Sequence, residues 1–337
     1  MRMHMVLLLA PLVVASDAAI AASTSASGAS AGTAVAFTEV HEDVELAEVE
    51  AEPLPRHEIT ERVIRSAMNI PLPEAEPSIE LEEVRWTVPA RMRVSQLALR
   101  WGVNTSALLQ LNPELGRGDA FVEPEQELVV WRDDPNTQTI SIGAPNRGRL
   151  RGGIPLPEGS HWKMRDHRPR AYGTRWTIES LVTAFEAYGK AFPDGPPIHL
   201  GEISARTGGR ARPHVSHRTG RDVDIGYILQ PGALGDRHWR AADEETFDVE
   251  KNWFLIKALV DTGRVQSIFV SSRLQKLLIE EARKELSEEE VARYFRHARA
   301  ESEDRPLISH WKGHRDHMHV RFKCHPDNRR CQASSRY

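Results

Sequence analysis

Two stretches of the chain concentrate side chains that can bind a cation or move a proton. The first reads His214-Val215-Ser216-His217-Arg218-Thr219-Gly220-Arg221-Asp222-Val223-Asp224-Ile225. Gly220 permits a tight turn, and the alternation that follows it fits a strand. On such a strand Asp222 and Asp224 share one face, while Val223 and Ile225 point to the core. The second stretch reads His314-Arg315-Asp316-His317-Met318-His319-Val320-Arg321-Phe322. The same period of two sets His317, His319 and Arg321 on one face and Met318, Val320 and Phe322 on the other. Two half-buried strands would then line one groove with imidazoles and carboxylates.

Zinc suits such a set. It takes imidazole nitrogen and carboxylate oxygen, and a catalytic site keeps about three protein ligands plus water. The expected ligands are His217, Asp224 and His319, for one zinc per chain. Zinc lowers the pKa of its water to about 7 and polarises a carbonyl, but a proton acceptor that is not a ligand is still needed. His317 reaches the same face one pleat away and is the expected general base. His214 is the second expected catalytic group, close enough in sequence to orient the water or steady an oxyanion. His314 could serve the same ends on the substrate side, where Arg321 would hold a substrate carboxylate. Without a metal these residues would form a core network with many buried polar groups to satisfy, which is costly. His161, His167, His199 and His238 read as ordinary surface or core residues.

The elements that must position these groups are legible around them. From about Ser141 to Cys331 the pattern is that of one mixed domain. Ile178–Tyr188 is amphipathic at helical spacing, and Phe254–Val260 and Leu274–Arg283 look similar. Ile198–Ile203 and Val265–Val270 suit strands. The expected class is α+β: an antiparallel sheet with flanking helices, preceded by a small βααβ unit. In that unit Trp86–Val88 reads as a strand, and Val94, Leu97, Ala98 and Trp101 as a helix stopped by Gly102. Thr105, a plausible N-cap, opens a second helix to Leu111, and Glu127–Trp131 is the returning strand. Asp133–Asn136 is a turn-rich joint.

Composition bounds the rest. Of 337 residues 40% are apolar and 27% charged, ordinary for a globular protein, and the formal net charge is −4. Carboxylates dominate from Glu39 to Glu83 and arginines are frequent after Arg147, but they are scattered rather than gathered in one run or helical stripe, which argues against nucleic acid. Residues 1–21 read as an export signal: Arg2, then apolar Val6–Ala15, then Ala19-Ile20-Ala21 for cleavage. The apolar run is too short for a membrane anchor. Residues 22–82 are acidic, Pro-dotted and short of apolar periodicity, and read as a disordered linker. Cys324 and Cys331 could close a small loop in an oxidising compartment or stay as two buried thiols.

Residues 83–132 resemble a LysM domain, a module that binds N-acetylglucosamine-containing glycans. The resemblance rests on Trp86-Thr87-Val88, Leu97-Ala98, Trp101-Gly102-Val103, Leu108, Leu111-Asn112-Pro113 and Leu128-Val129-Val130. Where such modules have a Gly-Asp-Thr turn bordering the glycan groove, this chain has Arg91-Met92-Arg93.

From about Ser141 to Cys331, within the domain expected over residues 141–337, the chain resembles the penicillin-insensitive murein endopeptidases, in the wider group with lysostaphin-like enzymes, D-alanyl-D-alanine metallopeptidases and hedgehog domains. Ser141-Ile142-Gly143, Leu156-Pro157, Arg170-x-Tyr172-Gly173, Gly208-Gly209 and Ile268-Phe269-Val270 carry it beside the two histidine stretches, followed by Cys324 and Cys331. The resemblance implies zinc at His217, Asp224 and His319 and cleavage of D-alanyl-diaminopimelate bridges in periplasmic peptidoglycan. Arg218 departs from the usual glutamine, and no Asp-x-x-His pair follows Asp224 to form the second metal site of some members. The family's other cysteines are missing too, which leaves at most one disulfide. Two rival readings are a non-catalytic wall-binding protein with a structural zinc domain and a D-alanyl-D-alanine carboxypeptidase.

Overall fold

The computed structural model describes residues 81–165, 168–235, 237, 239–295 and 306–333. The expected export signal, nearly all of the expected linker, His167 and His238 lie outside these residues. Leu81, assigned to the linker, is buried in the main core.

The first unit comprises β1 (Glu83–Thr87), β2 (Met92–Arg93), α1 (Val94–Arg100), α2 (Thr105–Leu111), β3 (Phe121–Val122) and β4 (Glu127–Arg132). β1 and β4 pair antiparallel, and the two helices lie between them in sequence. Leu97 and Trp101 from α1 and its cap, Leu108 from α2 and Leu128 from β4 are fully buried in its core. Asn104, not Thr105, caps α2, accepting from the Ala107 amide. Asn112 ties α2 to β4: its side-chain amide donates to the Leu108 and Val129 carbonyls, and its oxygen accepts from the Val129 amide. A buried amide this fully bonded fixes register as well as stability.

The second unit begins with the hairpin β5 (Ile140–Ala144) and β6 (Arg147–Arg151), then β7 (Ile154–Pro155), β8 (Trp162–Met164) and β9 (Tyr172–Gly173). α3 (Arg175–Ala191) follows, capped by the Thr174 hydroxyl, which accepts from the Thr177 amide. Its Ile178, Leu181, Val182, Phe185 and Tyr188 recur at helical spacing and are buried. Next come β10 (Ile198–Leu200), β11 (Asp222–Gly226), α4 (Val249–Asp261), β12 (Val265–Phe269), α5 (Ser272–Ala282), α6 (Glu288–Tyr294), β13 (Ile308–Ser309) and β14 (His317–Phe322). Among the described residues the main sheet has the order β13-β12-β14-β11-β10-β8. β12, β14, β11 and β10 run antiparallel to one another, while the outer pairs β12/β13 and β10/β8 are parallel. The fold is mixed α+β. No described helix is long and apolar enough to cross a membrane.

The two units meet. The Tyr172 hydroxyl donates to the Trp101 carbonyl at 2.5 Å, and Arg175 reaches Asp133. Just before β11 Arg221 is buried, donating to the carbonyls of Phe322 and Gln332, each at 2.8 Å. Burial pulls its pKa down to about 10, against the pull of neighbouring Asp222. Cys324 and Cys331 form a disulfide in the segment that Arg221 holds.

Candidate metal and catalytic site

β11 and β14 are central neighbours, and their register sets Asp222 opposite Arg321, Asp224 opposite His319 and Gly226 opposite His317. The alternation read from sequence appears as burial: Val223, Ile225, Met318, Val320 and Phe322 are wholly buried on the core side. The opposite face carries the polar groups.

His217 arrives from the loop before β11. Its φ of 62° is rare for a residue with a Cβ, and its amide donates to Asp222 Oδ2 at 3.3 Å. Its ring is set by Nδ1, which donates to the Ile203 carbonyl at 3.0 Å. A carbonyl only accepts, so this bond leaves a lone pair on Nε2. Nε2 lies 3.2 Å from Asp224 Oδ1 and 3.2 Å from His319 Nδ1. His319 is oriented in the same way from its far side: Nε2 reaches Asp222 Oδ1 at 3.0 Å, while Nδ1 lies 2.9 Å from Asp224 Oδ1. Burial works against charge on this ring, but the two carboxylates outweigh it and raise its pKa to about 9. For Asp222, burial opposes ionisation, yet the Arg321 guanidinium and His319 hold the carboxyl well below the usual range.

His214 joins this group. The ligand atoms of His214, His217 and Asp224 lie within 4.8 Å of one another, a set able to hold a metal ion. His214 Nδ1 is 3.4 Å from Asp224 Oδ2, and Nε2 is 3.8 Å from Glu202 Oε2. Burial, then the neighbouring His217, lowers the pKa of His214. The donor set fits a cation: buried Asp224 Oδ2 has no hydrogen-bond partner, and a lone buried carboxylate oxygen facing imidazoles is costly without one.

His317 sits at the mouth with its side chain 15% exposed. Its Nδ1 faces Asp316 Oδ1 at 2.7 Å, and Nε2 is 3.7 Å from Asp224 Oδ1. Trp239 stacks on the ring at 4.9 Å between centroids. His314 lies next to it, with ring centroids 4.9 Å apart, and donates from Nδ1 to the Trp311 carbonyl. Burial pushes the pKa of His314 down to about 4. Arg321 carries a partner that sequence did not suggest: its Nε donates to Asp222 Oδ1 at 2.6 Å. Of the other histidines, His161 packs against Gly189 of α3.

Sequence reasoning gave no role to Glu202, Trp239, Phe269 or Asp316. Phe269 stacks on His319 at 5.6 Å and packs against Trp311 at 5.7 Å. Only Asp316 carried a signal, as the carboxylate next to His317 in sequence.

An α+β domain whose central strands and adjoining loop gather histidines and aspartates, three of them placed to hold a cation, defines the class. The sequence profile of the penicillin-insensitive murein endopeptidases matches residues 141–337, and the chain belongs to that family. It is 27% identical over 211 residues to the penicillin-insensitive murein endopeptidase of Pectobacterium atrosepticum, covering 58% of this chain and 68% of that protein. It is 26% identical over 212 residues to the enzyme of the same name from Klebsiella pneumoniae, covering 57% of this chain and 69% of that one.

Proposed function

We propose that this chain is a zinc endopeptidase hydrolysing D-alanyl-diaminopimelate cross-links in periplasmic peptidoglycan. His217, Asp224 and His319 would hold one zinc per chain, with His214 beside them. Zinc bound there would supply a polarised carbonyl and a more acidic water. The chain's own residues do the rest. His317 takes the proton of the attacking water at Nε2, because its Nδ1–H donates to Asp316 and so fixes the tautomer. The same proton can then pass to the leaving amine. His314 is neutral near pH 7, and its Nδ1–H is held by the Trp311 carbonyl, so its Nε2 can accept from water or a substrate N–H. His214 stands between Glu202 and Asp224, where it steadies the group that takes on charge. Arg321 has further N–H groups beyond the one on Asp222, with which it would hold a substrate carboxylate.

The observation that carries this reading is His317, an imidazole anchored by Asp316 beside the cluster and not needed to complete it. A purely structural metal site would have no use for such a group. The strand–helix–helix–strand order of residues 83–132 supports a LysM-like module that holds glycan, with Phe121 under Arg91 at 3.7 Å where the usual turn is replaced. Digestion of purified peptidoglycan, with products identified by mass, tests the proposal. Release of monomers from cross-linked dimers supports it. Loss of terminal D-alanine alone would make the enzyme a carboxypeptidase, and unchanged material would leave only the binding reading.

A further inference from the structure

A second feature lies against the loop that bears His214 and His217. The segment between Asp134 and Glu158 holds three arginines and no carboxylate; the segment between Glu202 and Asp222 holds five and none. The fold brings these two segments together. The Leu150 amide in β6 donates to the Thr207 carbonyl at 3.0 Å. Gly148 packs so tightly on Thr219 that an added Cβ would come within 2.4 Å of its methyl group. Along β6 the side chains alternate: Leu150 is buried, while Arg147, Arg149 and Arg151 are exposed on the outward face. Arg206 and Arg210 are exposed on the adjoining loop, and the Arg330 carbonyl, on the disulfide loop, accepts from the Gly143 amide of β5. Among the described residues none of these six guanidinium groups has a carboxylate partner, whereas the arginines of the N-terminal unit's sheet, such as Arg85 and Arg132, are paired with Glu83.

Arg206 borders a cavity also lined by Asp133 and Asp134, but exposed guanidinium groups without ion-pair partners attract polyanions and raise their local concentration. We propose that this arginine face is a docking surface for the carboxylate-bearing peptides of the peptidoglycan network, holding the polymer beside the catalytic loop while a cross-link is cut. The identity of the polyanion rests on the function proposed above. The stem peptides of that polymer carry several free carboxylates each, which a row of exposed arginines on one strand face can bind together. Guanidinium is also the side chain best suited to paired hydrogen bonds with carboxylate.

The test measures binding and cutting separately in the full chain. In a His317→Ala background, cosedimentation with purified sacculi is compared with and without Arg147→Gln, Arg149→Gln and Arg151→Gln, over a range of salt. The expected result is sedimentation at low salt that is lost at high salt, and affinity about tenfold lower in the triple variant. Sacculi whose carboxylates have been amidated should also bind about tenfold more weakly. With His317 intact, the triple variant should cut a soluble cross-linked dimer at the parent rate and intact sacculi more slowly. An Arg206→Gln, Arg210→Gln variant repeats the comparison without touching the hairpin, should the first one misfold. Unaltered binding in both variants overturns the proposal, as does undiminished binding to amidated sacculi. Binding to phosphatidylglycerol vesicles in preference to sacculi overturns it in favour of a lipid surface. Failure of the parent chain to cut the soluble dimer would instead sink the peptidase reading, and the sedimentation result would still stand.

Discussion

Asp222 Oδ1 receives two groups from β14 at once, Arg321 Nε at 2.6 Å and His319 Nε2 at 3.0 Å. The carboxylate has no exposure at all, so its charge depends on these partners. It also fixes which nitrogen of His319 faces Asp224 and His217. Outer carboxylates of this kind typically change metal affinity by about 10–100-fold when removed. Asp222→Asn should therefore retain the fold but bind zinc at least tenfold more weakly, as read by competition with a chromophoric chelator. Unchanged affinity would make Asp222 a purely structural partner of Arg321.

Removing Arg321 asks a different question. Arg321→Ala strands a buried carboxylate, and breaking such a pair costs about 3 kcal/mol or more. A lower melting temperature, with weakened metal binding, is the expected outcome. If Arg321 acts chiefly on substrate, the variant will melt like the parent and show only a raised KM.

The metal set makes its own prediction. Purified chain should hold about one zinc, lost in His217→Ala and Asp224→Ala, which belong to both three-residue sets the geometry allows, and in His319→Ala on the proposed set of His217, Asp224 and His319. Elemental analysis after dialysis reads this directly. Normal zinc in all three variants would remove the assignment. His214→Ala separates the two ligand sets that the geometry allows: retention of zinc favours His319 over His214.

Arg221 and the disulfide anchor the C-terminal segment together. Arg221→Met leaves the buried Phe322 carbonyl without its donor, and an orphaned buried acceptor costs about 1–3 kcal/mol; the Gln332 carbonyl, on an exposed residue, loses its tie to Arg221 as well. The disulfide closes a separation of only seven residues, so chain entropy puts its contribution at about 2 kcal/mol. Denaturant unfolding of Arg221→Met and of the reduced protein measures both. The double perturbation should fall short of the sum, since both release the same segment.

How much of this was legible in the sequence follows from where pattern exists. Alternation gave β11 and β14 their faces, because Val223, Ile225, Met318 and Val320 had one side to be buried on. It could not give their adjacency or the pairing of Asp222 with Arg321, which depend on long-range register. The cores of α3, α4 and α5 showed helical spacing, but their ends ran past it: α4 begins at Val249 because the Asp248 side chain accepts from the Lys251 amide. α6 passed unnoticed although Ser287 and Glu290 form a capping box ahead of it. Glu202, Trp239 and Phe269 reach the site from three separate segments. No local period could have linked them to the histidines.

Proton transfer is the sharpest test. His317 differs from its neighbours in having one nitrogen fixed by Asp316, a ring face covered by Trp239, and the other nitrogen at the mouth of the cluster, 3.7 Å from Asp224. Nothing in that arrangement requires it to hold the metal, since His217, Asp224, His319 and His214 already converge. His317→Ala should keep zinc and melting temperature and lose hydrolysis by about 10²–10⁴-fold, the usual contribution of a placed base. Asp316→Asn should lose less, because an amide can still accept the Nδ1–H through its oxygen but no longer stabilises the charged ring. Trp239→Ala should act by freeing the ring, lowering kcat more than it raises KM. Zinc content and release of monomers from cross-linked dimers are measured side by side for the three variants. A His317→Ala chain that loses its zinc would make His317 a ligand. One that keeps both zinc and full activity would leave the proton to His214 or to His314, on both of which burial lowers the pKa.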